Sequence, residues 1–486
     1  MALAVEGNAS WTWRPRRNYS FSHKHPTISI RQFRILCMQP QEQQPYEPVL
    51  VVIGGGAAGM FGAIRAKNIV PQLKVLVIEK GKPLTKVRIS GGGRCNLTNS
   101  HFLDTLLLAD QYPRGNRELR GSFFKSHGPR DTISWFTNHG VQLKTEDDGR
   151  IFPVSDSSST IVDCLLGEAC RNGVILETGK VVTCITRNVD GRFEIKIGRA
   201  TDGLNQTIQS DYLLIATGSC QQAQGLAVQL GHTVIEPRPS LFTFKIKDPS
   251  LNKLAGVTFS RVRAKLKLSN VKGNASQLIQ VGPLLITHWG FSGPVILRLS
   301  AWAACLLFST KYQGTLLVDL TPDLHVEDIK HILLSQKNSF PKNKLRNSVP
   351  ASFLFVRRFW QYLLAREGLD ENTLWASLSH HSLQKLATVI KQCSFDVSGK
   401  GEYKDEFVTA GGVPLSEINL NTMESRMCPR LFFAGEVLNV DGLTGGFNFQ
   451  NAWTGGYIAG TTIGKMVSSS VSRLTMLSSS KDETLL

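Results

Sequence analysis

The segment Gly54-Gly55-Gly56-Ala57-Ala58-Gly59 has the spacing GxGxxG and directly follows the apolar run Val49-Leu50-Val51-Val52-Ile53. That combination suits the holding of a pyrophosphate. Gly54 permits a tight turn, Gly56 lets the main chain approach phosphate oxygens, and Gly59 lets a helix pack closely on a strand. A helix opening at Ala57 and Ala58 offers unpaired N–H groups and the positive end of its dipole to an anion. Glu79 stands 20 residues after Gly59, at the end of a second apolar run, where a carboxylate accepts ribose hydroxyl protons. Its charge opposes a 2′-phosphate, so NADP is not expected at this turn. Lys80, the next residue, joins the binding candidates.

A second glycine-rich stretch lies far along the chain. Leu431 to Ala434 reads as a strand ending in Gly435-Glu436, and Asp441 to Gln450 carries Gly445, Gly446, Asn448 and Phe449 ahead of a small-residue helix from Asn451 to Gly460. A long dinucleotide benefits from two helix N-termini, one for the pyrophosphate and one for the pyrimidine edge of a flavin, where negative charge gathers on reduction. Glu436 is placed to bind a ribityl hydroxyl. FAD is therefore the expected cofactor. Asp211 to Ala216 reads as a buried strand, and its end, Ala216-Thr217-Gly218, is a turn of the kind that passes close to such a cofactor. Val182, in the alternating stretch Val174–Ile197, completes the cofactor-binding candidates. No second GxGxxG is present, so a nicotinamide donor, NAD(P)H, is expected only as a transient visitor. Catalytic residues and metal ligands are not assigned. His288 reads equally as a proton donor or as a structural histidine.

The run Ile89-Ser90-Gly91-Gly92-Gly93-Arg94-Cys95-Asn96-Leu97-Thr98-Asn99 resembles the SGGGRCNxTN signature of the BaiN/RdsA-like (YhiN-like) flavoproteins. Gly149 to Pro153 resembles the family's GRxFP element, Thr287 to Pro294 its THxGxSGP element, and Thr409 to Val413 with Gly435 to Gln450 its C-terminal block. The resemblance spans about Pro48 to Lys465. It implies an FAD-binding domain split in sequence by an inserted domain, and it implies that Lys86, Ser90, Gly91, Gly92, Arg94, Cys95 and Asn96 lie beside the cofactor. A glycine loop with one lysine and one arginine is chemically suited to phosphates and a flavin edge. Cys95 reads first as a small packing residue. The sequence departs from the family after Gly218, where the usual longer loop is short, and at Asn439, where the family commonly has Asp. The expected activity is FAD-dependent oxidation or reduction of a small organic molecule, the resemblance suggesting reduction of an activated C=C bond. Two alternatives stand beside it: a flavin-dependent RNA-associated or RNA-modifying protein, and a catalytically idle flavoprotein with the short loop.

The elements that must position these residues follow from the same text. The fold class is α/β: a Rossmann-type FAD-binding domain, of the two-dinucleotide-binding kind, with an inserted β-barrel-plus-helical domain. A helix is expected over Ala57–Asn68, ended before Pro71, and a hairpin around Asp190-Gly191. Residues 46–240 form the first part of the FAD domain, 241–394 the insert, 395–466 the second part and 467–486 a disordered Ser-rich tail. Residues 1–45, arginine-bearing and poor in acids, read as a transit peptide to the chloroplast, with the mitochondrion as alternative. The apolar stretch Gly293–Phe308 is broken by Arg298 and reads as a buried element, so no membrane span is expected. Nine scattered cysteines without a CxxC pair exclude a disulfide scaffold and a local redox dithiol. The net charge of +17 reads first as a solvated basic surface, with a cluster between Lys330 and Arg358. A small-molecule substrate is thus the expected partner, ahead of nucleic acid.

Overall fold

Apolar runs without alternation belong to strands buried on both faces. The structure, a computed structural model, describes residues 47–199, 206–269, 276–401 and 408–482. In it those runs form the parallel centre of a seven-stranded sheet. The strand order is Ile418–Asn419, Glu424–Ser425, Leu431–Phe433, Tyr212–Ile215, Val49–Ile53, Lys74–Glu79 and Ile175–Thr178. Val52 pairs with Leu214 on one side and Val77 on the other, and all three are fully buried. Consequently Gly54, Glu79, Ala216 and Ala434 all follow or close neighbouring strands at the same edge of the sheet.

The helix Ala57–Ile69 leaves the glycine turn and lies against the long helix Phe447–Asp482. Small residues make this crossing possible. A Cβ on Gly456 would stand 2.5 Å from the carbonyl oxygen of Ala58, and one on Gly62 would stand 3.1 Å from that of Gly456. The C-terminal helix corrects one expectation: it continues to Asp482, where the sequence reading placed a disordered tail from residue 467. Serines satisfy themselves inside the helix, the hydroxyls of Ser468, Ser469, Ser470 and Ser472 each donating to the carbonyl four residues back. The expected leader, residues 1–45, lies outside the described residues.

The residues between the sheet strands Tyr212–Ile215 and Leu431–Phe433 include a closed six-stranded barrel with a helical companion. The barrel order is Phe244–Ile246, Gly290–Ser292, Ile279–Thr287, Thr258–Lys267, Gly314–Asp319 and Cys393–Lys400. Alternation explains it: Val262, Ala264 and Leu266 are buried, while Arg261, Arg263 and Lys267 point out and are exposed. The last strand carries the barrel to Lys400, past the expected boundary at 394, because Phe395 and Val397 are buried in its core and pair with Leu316 and Gly314. Helices Val326–Ser339, Arg357–Arg366 and His380–Lys391 pack beside it around stacked Trp360 and Trp375. The apolar stretch before Phe308 forms the helix Pro294–Ser309, and among the described residues no helix is long and apolar enough to cross a membrane. A two-stranded ladder, Ile235–Ser240 with Val408–Gly412, joins this insert to the sheet.

Candidate functional site

The first glycine turn is built by contact. Gly54 has φ +106°, and its N–H donates to the carbonyl of Ile78 at 2.9 Å. A Cβ on Gly59 would land on the carbonyl oxygen of Gly54, so this position requires glycine. Gly56 differs, because a Cβ there would meet no protein atom within 4 Å. The helix beginning at Ala57 has no side-chain cap and no acid in its first turn, so its N–H groups face that open side. Glu79 stands beside the turn, one carboxylate oxygen accepting from Gly55 N–H and the other from Gly81 N–H, both at 2.8 Å. Each oxygen keeps a lone pair for a hydroxyl.

The far-apart segments converge. A Cβ on Gly435 would stand 3.0 Å from Cβ of Ala58, so the Gly-Glu turn touches the start of the first helix. Lys86 Nζ donates to Glu436 Oε2 at 2.8 Å and reaches Ser219 Oγ at 3.4 Å, while Glu436 Oε1 accepts from Thr409 N–H at 2.9 Å. Gly218 (φ +62°) lies against the same carboxylate. Thr217 Oγ1 is buried and has no hydrogen-bond partner among the described residues. A buried hydroxyl without a partner is costly unless a ligand supplies one. This orphan and the uncrowded Gly56 flank the Gly54 turn, and together they fit a dinucleotide.

The SGGGRCN run breaks helical geometry at Ser90, after which Gly91, Gly92 and Gly93 all take positive φ. A Cβ on Gly92 or Gly93 would meet nothing within 4 Å. Asn96, in the amide orientation that satisfies both its atoms, accepts from Gly446 N–H at 2.9 Å and donates to the carbonyl of Thr98 at 3.1 Å. Asn448 pins the glycine-rich turn by accepting from Gly442 N–H and donating to Gly442 C=O. Phe449 stacks on Trp453 beneath that turn.

Other expected residues make protein contacts of their own. Arg94, expected beside the cofactor, pairs with Glu146 (2.5 Å) and Asp156 (2.7 Å) and lies over the Phe152 ring at 4.0 Å. Its hydrogen bonds with Glu146 hold its pKa above the usual guanidinium value. Cys95 is fully buried, and burial pushes its thiol up to about 12, so it is a packing residue. Lys80 points to Cys220 Sγ at 3.2 Å rather than to Glu79. Val182 is buried on the strand Lys180–Arg187, opposite Ile197, beside the Lys74–Glu79 strand but outside the contacts just described. His288 is exposed on the short loop between Thr287 and Gly290.

The sequence reading missed Arg114. Its guanidinium pairs with fully buried Asp441, donates to the Ala301 carbonyl at 2.6 Å and reaches Ser240 Oγ at 3.1 Å. It thereby ties the glycine-rich block to the end of the joining ladder and to a helix of the insert. A lone Arg between Pro113 and Gly115 carries no spacing signal.

A second polar cluster imitates a hydrolase. Ser425 Oγ lies 2.9 Å from His232 Nε2, and His232 Nδ1 lies 2.7 Å from Glu417 Oε2. Ser425 Oγ also accepts from Met427 and Cys428 N–H groups, so both lone pairs are occupied and its proton goes to His232. Buried and held by these three hydrogen bonds, Ser425 serves the packing of its turn rather than attack on a substrate. His232→Ala should therefore cost about 1–3 kcal/mol of stability, read by chemical denaturation, and leave cofactor binding unchanged.

A parallel sheet with a glycine turn at its edge, a ribose-side acid and a second glycine turn beside the first helix defines a Rossmann-type dinucleotide-binding protein carrying an inserted barrel. The chain belongs to the family described as HI0933-like protein Rossmann domain, whose model matches residues 48–462. It is 28% identical over 418 residues to the 3-dehydro-bile acid delta(4,6)-reductase of Clostridium scindens, covering 84% of this chain and 97% of that protein. It is 29% identical over 413 residues to the ribosomal RNA dihydrouridine synthase of Escherichia coli, covering 83% of this chain and 95% of that one. Among solved structures it is similar to a 3-ketosteroid-delta4-(5alpha)-dehydrogenase from Rhodococcus jostii RHA1, with 13% identity, a TM-score of 0.45, and coverage of 87% of this chain and 99% of that one.

Proposed function

We propose that this chain binds FAD across its two glycine turns and reduces an activated carbon–carbon double bond. The observation carrying the reading is the convergence of Gly54–Gly59, Lys86, Thr217 and Gly435-Glu436 on one edge of the sheet. Bound FAD supplies two-electron hydride chemistry. The chain's own part is to hold and orient it: N–H groups at Ala57 face phosphate, Glu79 takes ribose hydroxyls, and Glu436, fixed by Thr409 and Lys86, takes a ribityl hydroxyl. The names of the two relatives share the addition of hydrogen across a double bond, which supports the same reaction class here. NAD(P)H is the donor in this reading, visiting without a domain of its own. The test is an absorbance spectrum of the purified protein followed by anaerobic mixing with NADH and NADPH. Flavin bands that bleach are expected; a protein that stays colourless after incubation with excess FAD overturns the reading.

Glu436→Gln keeps an acceptor for Thr409 N–H and removes the charge facing Lys86. FAD affinity, measured by titration calorimetry, should fall about tenfold, as expected for loss of a charged hydrogen-bond network.

A second reading is that the reducible bond belongs to a base in RNA. The favouring observation is charge: between Leu241 and Lys400 the insert carries 21 Lys and Arg against 9 Asp and Glu, +12 of the total +17. The two Rossmann parts, 46–240 and 401–486, together carry only +1. Reduction of free uridine and of short uridine-containing RNA, compared with a steroid enone, separates the two.

A further inference from the structure

The charge of the insert has a regular arrangement. On the barrel strand Thr258–Lys267, Arg261, Arg263, Lys265 and Lys267 alternate with the buried Val262, Ala264 and Leu266. The four cations therefore share the outer face, at a repeat of about 6.8 Å for every second residue of a strand. A fixed row of this kind presents discrete positive charges in a line to the phosphates of a nucleic-acid strand, which a flexible lysine tail does not. Acids near the row are few and occupied. Asp319, opposite Arg263, is committed to Lys391 (2.8 Å) and to Thr321 N–H (3.1 Å). Asp323 pairs with Arg261 at 3.0 Å, and Asp396 lies two strands away from Lys267. Among the described residues neither Arg263 nor Lys267 makes an ion pair, and both are exposed. Beyond Lys267 the row opens on a cleft of about 540 Å³ lined by Ser269, Thr310, Gln313 and Thr315, groups that hydrogen-bond sugars and base edges.

We propose that this outer barrel face docks the phosphate backbone of RNA, with Arg263 and Lys267 as its central contacts. The inference rests on the reading that the reducible bond belongs to an RNA base. It adds where the polymer is gripped, on the insert and away from the Rossmann parts, whose near-neutral charge gives little attraction to a polyanion. RNA is favoured over an anionic membrane because the row is a rigid line of discrete charges rather than a basic amphipathic helix.

The experiment is fluorescence anisotropy of a labelled single-stranded uridine-rich RNA with the full chain, across a KCl series. Wild type is compared with the double variant Arg263→Gln/Lys267→Gln and with a control pair on the Rossmann side, Lys125→Gln/Arg130→Gln. Each lost phosphate contact flattens the log–log salt slope by about 0.7 for a single strand, so the double variant should be shallower by about 1.4. Its affinity at low salt should fall at least tenfold, with flavin absorbance unchanged, while the control pair stays near wild type. Wild-type binding with an unaltered slope in the double variant overturns the docking face and leaves the RNA reading standing. No salt-dependent binding by the wild type overturns the RNA reading itself. Equal losses in the control pair, or tighter binding to phosphatidylserine vesicles that the double variant loses, overturn the proposal in favour of bulk charge or a membrane surface.

Discussion

Gly59→Ala should yield a destabilised protein that retains no FAD, whereas Gly56→Ala, three residues earlier, should fold and still fail to bind. The two glycines look alike in sequence and differ in what surrounds them. A Cβ on Gly59 falls on the Gly54 carbonyl oxygen and stands 3.2 Å from Cγ1 of Val52, so strand and turn must move apart. Overpacking of this kind costs about 1–3 kcal/mol or more, and here it displaces the turn itself. Gly56 has φ −83°, open to any residue, and its Cβ would meet no protein atom. Alanine there costs about 1 kcal/mol as a poorer helix cap and places a methyl group where phosphate must approach. Thermal melts and FAD titration separate the cases. Full FAD affinity in Gly56→Ala would remove phosphate from that side of the turn.

Acid should destabilise the protein through one histidine. His127 is 3% exposed, stacked on Tyr457 at 4.6 Å, with Nε2 3.1 Å from Thr132 Oγ1. Burial lowers its pKa to about 4, with Asp131 opposing that shift and Arg65 adding to it. Unfolded chains take up the proton as pH falls through about 6.5, but the native protein does so only near the lowered value. Stability attributable to His127 is therefore intact above pH 6.5 and is lost progressively down to about pH 4. A shift of this size corresponds to roughly 3 kcal/mol. Urea unfolding at pH 7.5 and 4.5 measures it, and His127→Asn should flatten the difference by most of that amount. Equal pH dependence in wild type and variant would assign the acid sensitivity elsewhere.

Local chemistry was legible in the sequence, and long-range contact was not. The glycine turn, its helix and Glu79 lie within 26 residues, so spacing alone positions them. The barrel strand Thr258–Lys267 shows its alternation openly. By contrast, Lys86 meets Glu436 across 350 residues, and nothing in either neighbourhood names the other. Arg94 is expected beside the cofactor through the family signature, and its pairing with Glu146 and Asp156, which arrive from a different loop, cannot be read from that run. The insert boundary slipped because Ser394-Phe395-Asp396-Val397 alternates in the same way whether it closes a barrel or rejoins a sheet. Serines after Met466 suggest disorder by composition, and the back-bonding that satisfies their hydroxyls exists only once the helix has formed.

The glycine seam between the helices Ala57–Ile69 and Phe447–Asp482 bears on how the chain is assembled. The strand Val49–Ile53 with its turn and helix leaves the glycine face of that helix uncovered until residues beyond Phe447 have been synthesised. The barrel and its helices emerge from the ribosome in between and have an apolar core of their own. Closure of the nucleotide half thus waits on a contact of very high sequence separation, the slow kind in folding kinetics. During that interval the uncovered helix face is a surface open to misassociation.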